Sequence, residues 1–323
     1  MITQELKALS FLDENPQIHI STEPENTPDV YIYDNLRKKL IFEGRLWPDF
    51  NGSLVIDLVP EIKNAYTPVL PGAAAALQQN YIYLKFRDED DREGVYHSGT
   101  VNLFSMDALE RMSDADELVV PEDYILPISY VQIDEINQAY IATRNGMIDI
   151  KKLCPATHIQ QQEGVMSFLI PIKSFNLLPG EKFRVVIVRD GDPVYSPYYS
   201  VTARDMEQYL FYNRLGGWDN IAMSGRRSIV PEYEFGRGRK DGKSVQTSAT
   251  VTRKYKQNSG GMTRQSASAL AQLLESPAIY HLVNGSWQKI VIDAAEITIE
   301  SDAHIHSITF NYVYSDDTNK FRL

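Results

Sequence analysis

The chain has 323 residues, 43% of them hydrophobic and 23% charged, with a formal net charge of −11. That length predicts two or three domains, and that composition excludes a disordered chain. The acidity weighs against nucleic acid or an anionic membrane as partner of the whole surface. No apolar run reaches the ~20 residues of a membrane span. The one cysteine, Cys154, excludes an intrachain disulfide and reads as a small buried side chain ahead of Pro155.

The opening MITQELKALSFLDENP has neither a basic n-region nor a long apolar h-region, so no signal peptide is expected. Beyond it, strand signals dominate. PDVYIYDNLRKKLIFEG (28–44) reads as a hairpin, and GSLVIDLVP (52–60) alternates up to a proline. NYIYLKFRDED (80–90) has a period of two, with GVYHSGTVNLF (94–104) as its partner across an acidic turn. SMDALERMSDADELVVPED (105–123) reads as a connector with a short helix capped by Ser105 or Asp107. A second β unit starts near Tyr124. Its clearest part, 165–201, carries turns at Pro179-Gly180 and Asp190-Gly191. The third region starts near Asp205. There ARDMEQYLFYN is open between a brief helix and a strand entry, and 244–257 reads as a strand. QSASALAQLLESP (265–277) is an amphipathic helix with Ala267, Leu270, Ala271 and Leu274 on one face. Asn284-Gly285 marks a hairpin within 278–299, and HIHSITFNYVY (304–314) is the last strand.

The expected fold is mainly β: tandem antiparallel β-sandwich modules (Ig-like or jelly-roll-like) with a C-terminal α+β domain carrying one short helix. The expected boundaries are 1–119 and 120–204 for two sandwich modules, and 205–323 for a β-rich assembly domain. That last domain holds a basic loop, 225–256. The loop has nine Lys/Arg against three acids, a net +6, which leaves −17 on the remainder. A basic segment on an acidic body suits polyanions or the acidic face of another copy, and the second reading is preferred. Arg226, Arg227, Arg237, Arg239, Lys240 and Lys243 are the expected interface residues.

Concentrated chemistry is not evident. His304 and His306 share a strand face with Asp302, but read as wet-face histidines, not metal ligands. The acid run Asp88–Asp91 falls in a turn and reads as solvated charge. No Gly-x-Ser-x-Gly elbow is present. Gly242-Lys243-Ser244 ends like a P-loop, but Arg237 stands where its first glycine belongs. Three glycines among cations suit a mobile loop that orders on assembly. No enzyme, cofactor or metal is expected. Tyr233, Phe235 and Tyr255 interleave the cations as in single-strand binders, but the net charge weighs against nucleic acid.

LFYNRLGGWDNIAMSGRR (210–227), LLESPAIYHL (273–282) and FNYVYSDD (310–317) together resemble tail-associated structural proteins of phages and prophages, over about the C-terminal third. The resemblance implies a non-enzymatic role in a tail, neck or baseplate. It also implies a virion location and partners that are other virion proteins and copies of this chain. Within YLFYNRLGGWD, the residues Tyr209, Phe211, Leu215 and Trp218 are expected to pin the last domain to its core. Gly216 and Gly217 are expected to supply positive φ or close backbone contact, Asp219 to cap the following turn, and Arg214 to pair with an acid. The alternative function is a glycan-binding β-sandwich protein that stacks sugars on Trp47, Trp218 and Trp287. Exposure of those three rings discriminates the two readings.

Overall fold

The computed structural model describes residues 2–4, 9–11, 17–21, 27, 29–34, 39–57, 60, 76–78, 80–87, 93–102, 117–132, 138–153, 164–189, 191–196, 198–213, 217–262, 264–298 and 306–315. Cys154, residues 105–116 of the connector expected over 105–123, the Asp88–Asp91 turn, Asp302 and His304 lie outside these residues, as do Arg214, Leu215 and Gly216; the rest of that connector holds a strand, Leu118–Pro121.

The fold is mainly β, built from sheets whose strands pair antiparallel except in two places, Leu9–Phe11 beside Thr100–Asn102 and Leu118–Pro121 beside Tyr199–Thr202, with few helices among the described residues. Strands are numbered in chain order. Two small N-terminal sheets hold β1 (Ile2–Gln4), β3 (Gln17–Ser21) and β6 (Ser53–Asp57), and then β2 (Leu9–Phe11), β9 (Glu93–Asn102), β8 (Asn80–Arg87), β4 (Asp29–Asp34) and β5 (Lys39–Arg45). The β4–β5 and β8–β9 hairpins form as their alternation predicts. In β6, Leu54 and Ile56 turn inward while Ser53, Val55 and Asp57 face water, the two-residue period of a half-buried strand.

The middle unit is a sandwich. One sheet runs β10 (Leu118–Pro121), β17 (Tyr199–Thr202), β15 (Lys182–Arg189), β12 (Gln138–Thr143), β13 (Gly146–Asp149), with β16 (Asp192–Tyr195) also on β15. The other runs β11 (Ile125–Gln132), β14 (Gly164–Pro171), β7 (Ala76–Gln78). Strand β7 therefore joins this sandwich from the N-terminal segment. Ile141, Val185 and Ile187 of one sheet meet Leu126, Ile128, Phe168 and Ile170 of the other. Phe183 stacks on Tyr199 at 4.9 Å and takes the edge of Phe175 at 5.4 Å. Gly180 and Gly191 adopt φ of 89° and 90°, so both glycine turns predicted for this stretch need the freedom glycine gives.

The C-terminal sheet runs β19 (Trp218–Met223), β18 (Glu207–Tyr212), β22 (Ile279–Val283), β23 (Ser286–Thr298), β24 (Ser307–Tyr314), β21 (Lys243–Asn258), β20 (Arg227–Lys240). ARDMEQYLFYN thus resolves as a strand. Asn284 and Gly285, at φ 49° and 78°, form the expected two-residue hairpin turn. One short helix, α1 (Ile150–Leu153), lies in the middle unit, and a longer one, α2 (Arg264–Glu275), lies against β23 and β24. It buries Ala267, Leu270 and Leu273, whereas Ala271 and Leu274 are half-buried. The apolar stripe is therefore rotated by about one residue from the face read off the sequence.

Both faces of this sheet are covered near β18. Tyr209, Phe211, Ile279, Ile308 and Phe310 pack under α2. On the other face Leu210, Tyr212 and Trp218 meet Ile18, Val30, Ile32, Leu54 and Ile56 of the N-terminal strands. That is why Gln208 through Tyr212 are buried without alternation. The middle sandwich docks beside them through polar contacts. Tyr124 Oη donates to the Asn220 carbonyl, Gln208 Oε1 accepts from Ile125 N–H at 3.0 Å, and Asn220 Nδ2 donates to the Ile125 carbonyl at 2.6 Å.

Candidate interaction site on a hairpin arm

The basic segment expected as a loop is a regular antiparallel hairpin, β20–β21, paired from Arg227–Gln257 to Lys240–Lys243. Asp241 and Gly242 close it with φ of 52° and 74°, the two-residue turn whose twist matches that of the strands. Gly236 and Gly238 are strand residues. A Cβ on Gly236 would meet Ser248 Oγ at 2.2 Å, and one on Gly238 would meet Thr247 Cγ2 at 2.6 Å. The register shifts between Gly236 and Arg237, so Thr247 is the extra residue of a bulge, and the two glycines leave room for its side chain.

Only Tyr255–Asn258 of β21 pair with β24. Beyond Tyr255, among the described residues, β20 and β21 pair with each other alone, forming a two-stranded arm about 30 Å long. Alternation gives the arm two faces. One carries Ile229, Pro231, Tyr233 and Phe235, opposite Tyr255, Arg253, Val251 and Ala249. The other carries Val230, Glu232 and Glu234, with Lys254 bridging Glu232 (3.0 Å) and Asp293 (2.8 Å). The first face is apolar and in water: Ile229 is 59% exposed, Tyr233 57% and Phe235 55%. The Tyr233 and Phe235 rings lie parallel, 6.1 Å apart. Arg237 and Arg239 continue the same side of β20 toward the tip, where Lys240 and Lys243 are also exposed. Arg226 is exposed at the arm's base.

Arg227, expected at the interface, is half-buried at the root. Its Nη1 lies 3.4 Å from Glu207 Oε2 and 3.4 Å from both ring nitrogens of His281. The equal distances put the guanidinium over the imidazole face. His281 is fully buried between the Tyr209 ring, stacked at 4.6 Å, and the Tyr314 ring at 6.0 Å. Its Nε2 donates to the Glu207 carboxylate, which can only accept, at 2.7 Å, and its Nδ1 lies 2.7 Å from Tyr314 Oη. Tyr209 Oη donates to Gln257 Oε1 at 3.0 Å, and Gln257 Nε2 donates to the Gly225 and Asn258 carbonyls. The His281 hydrogen bond, and then the Arg227 charge, hold the Glu207 carboxyl below its ordinary range against an opposing desolvation. Burial pushes the Tyr209, Tyr312 and Tyr314 hydroxyls up, so they stay protonated donors at neutral pH. A paired cluster of this kind, buried around His281 and reached by water at Glu207 and Arg227, fixes a strand end.

Sequence patterning does not assemble this cluster, because its one histidine stands singly in the chain. A signal existed: His281 shares strand parity with Ile279 and Val283, which marks a polar residue on an apolar face. His306 is likewise buried, not wet, and its backbone pairs with Met262. Among the described residues no group of three potential ligands could hold a metal ion.

YLFYNRLGGWD does not act as one unit. Tyr209 and Phe211 face α2, whereas Trp218 packs with Tyr212 (5.4 Å) against the N-terminal strands. Gly217 N–H donates to Asn213 Oδ1 at 2.9 Å. Asp219 does not cap a following turn. It sits within β19 and accepts from Asn213 Nδ2 at 2.8 Å, so it braces the preceding turn. Burial pushes its carboxyl up, partly offset by that bond. Of the three tryptophans, Trp218 is buried, Trp287 half-buried and Trp47 76% exposed, so they form no common platform.

No protein-family model and no curated protein matches the chain. Among solved structures, extracellular domains 3–5 of Drosophila OTK cover 78% of this chain and 91% of their own, at 9% identity and a TM-score of 0.26. SGBP-B of the Bacteroides ovatus mixed-linkage glucan utilization locus, in complex with a mixed-linkage heptasaccharide, covers 93% of this chain and 70% of its own, at 10% identity and a TM-score of 0.18. Both scores are too low to identify a common fold.

Proposed function

We propose that this chain is a non-enzymatic assembly protein that joins a multi-subunit particle through the β20–β21 arm, and that the particle is a phage or prophage tail, neck or baseplate. One observation supports the assembly role above others. The sheet face that α2 covers in the core runs out onto the arm, through Tyr312 and Tyr255 to Tyr233 and Phe235, where nothing among the described residues covers it. An apolar strip on a regular, rigidly rooted hairpin is what a protein partner buries, and the arginines beside it favour an acidic one. The tail setting rests on the sequence resemblance of the C-terminal third.

Light scattering on the purified chain tests the assembly role. Tyr233→Ser with Phe235→Ser should convert concentration-dependent oligomers to monomer while leaving the circular dichroism melt unchanged. Unchanged oligomers would remove the arm from the reading. Glycan binding is the second reading, favoured by exposed Trp47 alone. A glycan array positive for the native chain and negative for Trp47→Ala would put that reading first.

A further inference from the structure

Among the described residues the arm has no receiving surface within its own chain, since its apolar face is exposed. The structure also holds a second exposed aromatic feature, the turn between β5 and β6. Leu46 anchors the turn against the N-terminal core. Asp49 then ties it shut. Its Oδ1 accepts from Asn51 N–H at 2.9 Å and Ser53 N–H at 2.8 Å, its own N–H donates to the Ser53 carbonyl at 2.8 Å, and its carbonyl accepts from Gly52 N–H at 2.9 Å. Gly52 takes the φ of 75° that this closure needs. The turn is thus preorganised, and it holds Trp47 and Phe50 in water at 76% and 87% exposure. Val55 adds to it from the outward side of β6. Together the two rings expose roughly 300 Å² of apolar surface, more than scattered surface residues account for. Exposed carboxylates of Glu43, Asp49 and Asp57 lie on the same turn and its flanking strands.

The two surfaces are complementary in kind. The arm offers Ile229, Tyr233 and Phe235 beside Arg237, Arg239 and Arg253; the turn offers Trp47, Phe50 and Val55 beside three carboxylates. Each is built on fixed backbone, so neither loses much entropy by ordering on contact. We propose that the β20–β21 arm of one copy seats its Tyr233–Phe235 face on the Trp47–Phe50 turn of the next copy. The proposal rests on the arm being an assembly element and names what receives it. Because the two patches differ, the contact is heterologous. Copies add head to tail, and the array closes into a ring or extends as a stack.

A complementation experiment on the full chain tests this. The arm variant is Tyr233→Ser/Phe235→Ser and the turn variant is Trp47→Ser/Phe50→Ser, both followed by multi-angle light scattering over a concentration series. Native protein should form higher oligomers, and each variant alone should associate at least tenfold more weakly. An equimolar mixture of the two variants should stop at a dimer, since it retains one intact arm and one intact turn. If the turn variant fails to fold, Phe50→Lys replaces it, because that side chain has almost no packing to lose. A turn variant that assembles like native protein while the arm variant does not overturns this inference and leaves the arm's assembly role standing. Native protein that remains monomeric at the highest concentration overturns both.

Discussion

Replacing Glu207 with Gln tests whether the buried cluster holds the arm's root. The amide keeps the shape of the side chain but removes the charge that His281 and Arg227 face at 2.7 and 3.4 Å. Hydrogen bonds to a charged group contribute about 1.5–3 kcal/mol. The Glu207 side chain is 31% exposed, so water screens part of that, and a loss of about 2 kcal/mol at pH 7 is the expected size. The loss should also depend on pH with a definite sign. Glu207 has its carboxyl lowered in the folded state, so its contribution is complete above the unfolded carboxylate range and vanishes as pH falls through the lower folded value. Native and variant curves should therefore converge in acid. Urea denaturation read by tryptophan fluorescence at several pH values measures this, and urea is preferred to guanidinium because it adds no screening salt. A variant within about 0.5 kcal/mol of native at pH 7 would refute the argument. So would a gap that stays constant, or widens, as pH falls below the carboxylate range.

Other substitutions address the packing. Trp218→Ala removes the ring that joins β19 to the N-terminal strands and should cost about 3–5 kcal/mol in the same urea assay. Gly225→Ala should cost about 3 kcal/mol, because its Cβ would lie 2.2 Å from the Asn258 carbonyl oxygen and 2.4 Å from Gly260 N, backbone atoms that cannot swing aside. Tyr124→Phe deletes one buried donor between the middle sandwich and the C-terminal sheet. It should cost about 1–2 kcal/mol and speed amide exchange at Ile125 and Asn220.

What could be read from the sequence divides by the range of the interactions involved. Asn284-Gly285 was legible because a two-residue turn is a local event, fixed by the φ its own residues tolerate. The α2 helix was legible from its own periodicity. Gly236 and Gly238 misled, because glycines among cations look like a loop until one knows that Thr247 lies across from them. That fact depends on a bulge in the opposite strand. Gln208 could not be assigned either. Its burial depends on Asp123 and Ile125, more than eighty residues away, whose backbone groups its amide satisfies. Asp219 read as a turn cap because aspartate often is one. Only the pairing of β18 with β19 shows that it braces a turn behind it.

The arm can associate in only two ways, by its edge or by its face, and its own residues argue for the face. Among the described residues, strand β20 is the outer strand of the sheet and pairs on one side only. Its outer edge is poorly made for adding another strand, because Pro231 lacks an N–H to donate to one. The face beside that edge is regular and apolar. Pro231→Val separates the two cases. It keeps an apolar side chain on the face while giving the edge back its N–H. If copies join through the face, apparent affinity from light scattering should change less than twofold. If they join by strand addition, the restored donor completes a ladder and association should tighten tenfold or more. That tightening would refute face docking and replace it with edge pairing.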